Sequence, residues 1–228
     1  WLSTGRFTTD YLVHYGAEPE QVTHYPFSSL YEANLLPQTV SRQEKQQLRQ
    51  ELGIPEEHMV LSIGQFIHRK GFDVLLKAAV ELDGDTGIYI VGGEPTEEYL
   101  KLRDDLKLEN VHFVGFQKKE ILAKFYQAAD VFALPTREDI WGLVINEAMA
   151  YGLPVVTTDK CVAGQELVEN GVNGYLVPVD DHEALAQRLN TILTGDLFSM
   201  GQASLEKVRP YTIENMAKVH VEIFDRQE

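Results

Sequence analysis

The chain has 228 residues, room for one large or two small domains, and its 44% of hydrophobic residues is ordinary for a soluble globular fold. With 35 acidic against 20 basic side chains its net charge is -15, which repels phosphate backbones and anionic lipid and argues against a nucleic-acid binder, although a local basic pocket could still hold a small phosphate. The single Cys161 excludes an internal disulfide and fits a reducing cytoplasm. No apolar run approaches the roughly 20 residues that span a bilayer. The chain opens on Trp1-Leu2-Ser3 rather than Met and shows no signal peptide, so it is expected to be a cytoplasmic fragment of a longer protein.

The first 52 residues hold two helical patterns, Phe7 to Tyr15 and Arg42 to Leu52, with a strand-like run from Val22 to Tyr25 and a turn at Pro26. Met59 to Gly64 then reads as a buried strand ending in glycine. A helix over Lys70 to Glu81 follows, with Phe72, Leu75, Leu76 and Ala79 as its core stripe. Further strands are expected at Ile88–Val91, Val111–Val114, Val131–Leu134 and Leu153–Thr157. Helices alternate with them at Glu97–Leu106, Lys119–Ala128 and Gly142–Tyr151. Asp180 reads as the N-cap of a helix through Ile192, and a last helix runs from about Thr212 to Asp225.

Continuous apolar strands alternating with helices imply a doubly wound α/β fold, a Rossmann-like parallel sheet covered on both faces. Ligands of such sheets lie beyond the carboxyl ends of the strands, where Gly64, Gly92, Gly115 and the turn after Pro135 fall.

The segment from Arg137 to Val156 is the richest in chemistry. A polar turn, Arg137-Glu138-Asp139, leaves a buried strand, and Gly142 opens a helix whose free N–H groups can hold phosphate. Glu147 stands five residues further on, roughly 7 Å up the helix, where its carboxylate could accept two hydrogen bonds from a ribose diol. Spacing alone leaves an equal alternative, in which Glu147 caps or pairs with a neighbouring element. Trp141 could pack on a ligand or fill the strand–helix junction. Gly92-Gly93 could approach a ligand or form a tight strand exit. The pairs Glu56-Glu57 and Asp180-Asp181 read as solvated ends of elements. The seven histidines show no metal-ligand spacing and Cys161 has no partner, so no metal is expected.

The run Asp139-Ile140-Trp141-Gly142-Leu143-Val144-Ile145-Asn146-Glu147, two acidic residues separated by seven, resembles the signature of the family 4 (group 1) retaining glycosyltransferases of the GT-B fold. Gly152-Leu153-Pro154-Val155-Val156, Glu166-Leu167-Val168, Gly171-Val172-Asn173-Gly174 and Val177-Pro178-Val179-Asp180 follow in the family's order, and Gly64 and Lys70-Gly71 precede it. The resemblance is strong over roughly residues 58 to 195 and weak in the flanks.

It implies the donor-binding, C-terminal half of a GT-B enzyme that transfers a sugar from a nucleoside-diphosphate sugar to an acceptor hydroxyl with retention, in bacterial polysaccharide or glycoconjugate synthesis. Residues 1–40 would be the end of the N-terminal domain and the linker, 41–210 the nucleotide-sugar-binding domain, and 211–228 the segment crossing back. Glu147 would bind the ribose, and Asp139 the hydroxyls of the transferred sugar. Gly142, Leu143 and Val144 would hold the diphosphate with their N–H groups, and Lys70 would neutralise it. Gly64 and Gln65 would lie beside the diphosphate, and Gly115 and Phe116 would line the base pocket. The acceptor, a glycan or lipid-linked glycan, would be held by the absent N-terminal domain, where any peripheral contact with the inner membrane face would also lie.

Two departures from the family pattern bear on this. Asp139 is one methylene shorter than the family's Glu, and the adjacent Glu138 could take its place, although register favours Asp139. Gln65 stands where relatives carry Arg, which moves charge neutralisation onto Lys70, with Arg69 as a helper. A carboxylate pair at Glu138 and Glu147 would also suit a hydrolase, but that leaves the phosphate-binding helix start unused. A nucleotide-sugar epimerase or hydrolase on the same fold, and a non-catalytic nucleotide-sugar-binding module, are the competing functions. The fragment alone is expected to bind donor weakly and to have little transferase activity.

Overall fold

The structure is a computed structural model and describes residues 1–225. The last three residues of the expected crossing segment lie outside the described residues. The chain begins with two short parallel strands, β1 (Leu2–Ser3) and β2 (Thr23–His24), joined through helix α1 (Arg6–His14). Helix α2 (Arg42–Leu52) follows. Ser41 and Glu44 form a reciprocal capping box at its start, and Gly53, at φ 71°, closes its end in the left-handed conformation.

A regular alternation then builds the main sheet. Its elements are β3 (His58–Gly64), α3 (Phe72–Ala79), β4 (Thr86–Gly92), α4 (Glu97–Asp105), β5 (Val111–Val114), α5 (Lys119–Ala128), β6 (Val131–Leu134), α6 (Leu143–Ala150), β7 (Val155–Thr158), α7 (Val162–Leu167) and β8 (Gly174–Val177). Helices α8 (His182–Leu193), α9 (Leu197–Val208) and α10 (Ile213–Asp225) complete the described chain. The six strands are parallel, in the order β5-β4-β3-β6-β7-β8. The winding direction reverses between β3 and β6, so the crevice outside their carboxyl ends is where this topology places a ligand.

Alternate residues of each strand feed two cores. Met59, Leu61, Tyr89 and Val91 point into the layer with α5 and α6, whereas Val60, Ile88 and Ile90 point into the layer with α3 and α8. The expected stripe Phe72, Leu75, Leu76 is fully buried.

Several local expectations are corrected. The N-cap of α8 is Asp181, whose carboxylate accepts from the Ala184 N–H at 2.8 Å. Asp180 instead takes a left-handed conformation, φ 63°, and pairs with Arg137 at 2.8 Å. Lys70 lies in a 3₁₀ turn, His68–Lys70, and the α-helix begins only at Phe72 because Gly71 turns left-handed at φ 68°. Glu56 is not a solvated end, since its carboxylate accepts from the Tyr89 hydroxyl at 2.7 Å and lies 2.7 Å from His112 Nε2. Gly92 marks a close approach within the sheet, as a Cβ there would sit 1.9 Å from the Gly64 carbonyl oxygen. Four elements were not expected: β1, β8, α7 and α9.

Asp130, at the start of β6, ties α2 to the amino edge of the sheet. It receives Arg49 Nη2 at 2.6 Å, the Met59 N–H at 3.0 Å and Lys45 Nζ at 3.3 Å. Burial alone would raise its pKa. A hydrogen bond from His58, the charges of Lys45 and Arg49, and the Met59 N–H overcome that and hold it well below the usual carboxylate range. Such a group stabilises the fold above its unfolded pKa, near 4, and loses that contribution as pH falls through its folded value. Asp130→Ala leaves two buried cations unpaired and is expected to cost about 3–5 kcal/mol. Urea unfolding at pH 7 checks the loss. The difference from the parent should hold down to about pH 5 and shrink only in stronger acid.

Candidate functional site

At the crevice, the loops leaving β3 and β6 are joined backbone to backbone. The Arg137 N–H donates to the Arg69 carbonyl at 2.7 Å, and Thr136 Oγ1 donates to the same carbonyl at 2.9 Å. A Cβ on Gly71 would lie 1.9 Å from the Pro135 carbonyl oxygen, so only glycine allows the loops to meet this closely. This contact sets Lys70 Nζ 2.6 Å from Asp139 Oδ2, with both side chains 13% exposed. Arg69 Nη1 stands 3.4 Å from the same oxygen and donates to the Glu138 carbonyl at 2.8 Å. Asp139, not Glu138, thus faces the two cations. Its backbone is held by bonds from the Asp139 N–H to Lys160 and from the Val162 N–H to Asp139.

Helix α6 starts beside this pair. Its N-cap, Gly142, has φ 97°, and no side chain caps it. Among the described residues, the N–H groups of Gly142, Leu143 and Val144 have no hydrogen-bond partner. They form the free positive end of a helix dipole, open to an anion. Gly142 packs against Cys161, whose Sγ would lie 2.8 Å from a Cβ there. Burial pushes the Cys161 thiol up to about 11, so it stays a protonated packing group. Trp141 fills the junction. It is 5% exposed, donates from Nε1 to Asn146 at 2.8 Å and meets Phe27 edge-on.

Gly64 ends β3 beside Lys70, and Gln65 follows it. The Lys70 stem passes over Gly64, 3.5 Å from a Cβ built there, and the Gln65 side chain is exposed to solvent.

Glu147 lies further along α6 and lines a separate cavity of about 360 Å³ with Phe116, Gln117, Lys119, Tyr126 and Asn34. Phe116 is 85% exposed, an aromatic ring presented to solvent at the cavity wall. Gly115 precedes it and accepts at its carbonyl from Gln117 at 3.2 Å. Burial raises the Glu147 pKa, opposed by the hydrogen bond from Tyr126 and the charge of Lys119. The Tyr126 hydroxyl reaches Glu147 Oε2 at 2.8 Å, and its ring stacks on Tyr151 at 5.0 Å. That bond occupies one carboxylate oxygen and leaves Oε1 as a free acceptor among the described residues.

Tyr126 and Lys119 carried no signal in the sequence. They meet Glu147 only after α5 and α6 pack on one face. Arg137, in the richest segment, is engaged structurally by Asp73 at 2.7 Å and by Asp180. Among the described residues, no group of three or more His, Cys, Asp or Glu is placed to hold a metal ion.

A parallel sheet with this crevice, two cations beside a carboxylate and an open helix start define a doubly wound α/β protein with free anion donors at its topological switch point. Residues 44–214 match the family described as glycosyl transferases group 1, and the chain belongs to that family. It is 34% identical over 191 residues to a D-inositol 3-phosphate glycosyltransferase of Corynebacterium urealyticum, covering 77% of this chain and 45% of that protein. It is also 34% identical over 137 residues to the lipopolysaccharide core biosynthesis glycosyltransferase LpsE of Rhizobium meliloti, covering 59% of this chain and 39% of that protein. The chain spans about half the length of such relatives, 45% to 52% for the first four.

Among solved structures, the sucrose-phosphate synthase of Thermosynechococcus elongatus aligns with a TM-score of 0.82 at 26% identity, covering 99% of this chain and 57% of that one. Anabaena Alr3699/HepE in complex with UDP-glucose aligns with a TM-score of 0.79 at 21% identity, covering 98% and 63%. The fold is the Rossmann-like half of a GT-B glycosyltransferase. No helix among the described residues is long and apolar enough to cross a membrane.

The raised Glu147 pKa has a stability consequence. The ionised carboxylate is disfavoured in the folded state, so it costs stability above its folded pKa and nothing below its unfolded value, near 4.3. Glu147→Gln keeps an acceptor for Tyr126 and removes this cost. The variant should melt higher than the parent at pH 7–8, and the gain should vanish below about pH 4 in melts followed by circular dichroism.

Proposed function

We propose that this chain is the donor half of a retaining glycosyltransferase and binds a nucleoside-diphosphate sugar along α6. One observation carries the reading. A free helix start and the Lys70 ammonium flank Asp139, while Glu147, on the same helix as that start, opens into a second cavity beside an exposed aromatic ring. The diphosphate sits on the N–H groups of Gly142, Leu143 and Val144. The base lies against Gly115 and Phe116, and the ribose diol donates to Glu147. The transferred sugar lies at Asp139. The UDP and UDP-glucose bound by Anabaena Alr3699/HepE support a donor of this chemical class.

In the transfer, the acceptor hydroxyl oxygen bonds to the anomeric carbon. The bond from that carbon to the phosphate oxygen breaks, and its electron pair leaves on the nucleoside diphosphate, which takes up the hydroxyl proton. Lys70 and the helix dipole, fixed before the reaction, stabilise the charge that grows on the leaving group. Asp139 accepts from the sugar hydroxyls once the diphosphate has drawn Lys70 toward itself. The reading assigns this neutralisation to protein groups, without a metal. Gln65 donates a hydrogen bond but no charge, which leaves the task with Lys70, assisted by Arg69. The relatives that act on inositol phosphate and lipopolysaccharide core support a place in bacterial glycoconjugate synthesis, with the acceptor bound in part by a preceding domain.

Thermal-shift titration against a panel of nucleoside-diphosphate hexoses tests the reading. At least one should raise the melting temperature. Glu147→Ala should weaken binding by about 10- to 100-fold, the loss of hydrogen bonds to a charged group. A panel without any response, or a Glu147→Ala chain with undiminished response, defeats it. Lys70→Ala should weaken a nucleoside diphosphate more than the matching nucleoside, and the effect should fade with added salt.

A further inference from the structure

A second cleft, which shares no lining residue with the Glu147 cavity, opens along Arg137–Ile140. It measures about 590 Å³, within the roughly 300–1,000 Å³ of small-molecule sites. Its wall includes Glu138 and Asp139, and it extends over the residues that follow β7 and β8, Asp159, Lys160 and Val179. The donor reading runs from the base at Phe116, past Glu147 and the diphosphate, to the transferred sugar at Asp139. The sugar end of that line is where this cleft begins.

The cleft has the surface of a carbohydrate site. Phe7 and Ile140 both line it, 37% and 87% exposed. Either alone would need no explanation. Together in one cleft, with Val162 and Val179, they offer apolar contact to the C–H face of a sugar ring, while Glu138, Asp139, Asp159, Lys160 and Gln165 supply polar groups. Gln165 donates from Nε2 to the Asp159 carbonyl, and its Oε1 has no partner among the described residues. Lys160 and Asp159 are exposed at the rim. The charges there are mixed, Lys160 against Glu138, Asp139 and Asp159, and the remaining cation, Arg137, is held by Asp73 and Asp180. That balance disfavours an anionic ligand and suits a neutral polyol.

Phe7 is also fixed in place from across the cleft. The Arg6 N–H donates to Glu166 Oε1 at 2.5 Å, a Cβ on Gly5 would meet the Glu166 carboxyl carbon at 2.5 Å, and the Arg6 guanidinium lies 4.8 Å over the Phe7 ring. The start of α1 is thereby held against α7, and the aromatic wall is preformed.

We propose that this cleft is an acceptor subsite carried by this chain, which holds a neutral sugar ring between Phe7 and Ile140 with Gln165 and Asp159 on its hydroxyls. The proposal rests on the donor reading for its orientation and assigns to this chain part of the acceptor recognition otherwise placed in a preceding domain.

Ligand-observed NMR on the chain saturated with UDP tests it, using neutral p-nitrophenyl α- and β-hexopyranosides as probes and hexose 6-phosphates as the anionic arm. At least one neutral glycoside should bind, and more tightly than the phosphates. Phe7→Ala and Gln165→Ala should each weaken it about tenfold, while nucleoside-diphosphate-hexose affinity stays within about twofold. Phe7→Leu, which keeps an apolar wall, should recover part of the loss and separates packing in the site from disturbance of α1. No glycoside binding, binding unchanged in both alanine variants, or a preference for the phosphates overturns the proposal. Failure of the donor reading looks different: no nucleoside-diphosphate hexose would bind, whatever the glycosides do.

Discussion

The backbone contact between the loops leaving β3 and β6 is the constraint on which the rest of the crevice depends. Gly71 allows it, because any side chain there would collide with the Pro135 carbonyl. Thr136 and Arg137 then hydrogen-bond to Arg69 and fix the distance. Two segments nearly seventy residues apart in sequence become one polar surface, with Lys70, Arg69 and Asp139 within reach of each other. Arg137 reinforces this from behind through Asp73 and Asp180, which ties the turn after β8 into the same frame. Two basic residues of the crevice thus have different tasks. Arg137 is used up in holding the loops, and Lys70 is held at the surface they form.

The charge distribution follows from this frame. A chain with net charge -15 must concentrate positive potential locally if it is to receive a diphosphate. Lys70, Arg69 and the uncapped start of α6 converge there, and Asp139 balances them in the meantime. An anion arriving at the helix start competes with Asp139 for the same ammonium. In the proposed donor complex the carboxylate would then be released as an acceptor for the sugar. One short ion pair can therefore hold the site together when empty and supply two separate groups when it is occupied.

Glu147 shows the cost of a buried carboxylate. Burial opposes its charge, and the Tyr126 hydroxyl with the charge of Lys119, both on α5, partly offsets that cost. Asp130, at the opposite edge of the sheet, has the reverse balance. Its several donors outweigh burial, and it works as a tether between α2 and β6. The amino edge of the sheet carries a charge arranged for stability, and the carboxyl edge carries one whose arrangement costs stability.

Much of the fold was legible because parallel strands buried on both faces leave continuous apolar runs, and the helices between them repeat on a different period. Met59–Gly64, Ile88–Val91, Val111–Val114 and Val131–Leu134 all lie in strands. Shorter elements escaped. β8 has four residues and α7 six, too few for a period to register, whereas α9 was readable from Leu197, Met200, Leu205 and Val208 behind the Asp196 cap. The helix cap after β8 was misplaced by one residue because either aspartate suits the position by type, and only the left-handed backbone of Asp180 decides between them. By itself the sequence determined the sheet, the helix start at Gly142 and the position of Glu147 one and a half turns along it, because these depend on local spacing. Only the tertiary structure decided that Asp139 rather than Glu138 faces Lys70, that Tyr126 holds Glu147, and that Phe7 closes a cleft beside Asp139. Each of those contacts joins residues far apart in the chain, and no local pattern encodes a meeting made only when separate strands and helices pack.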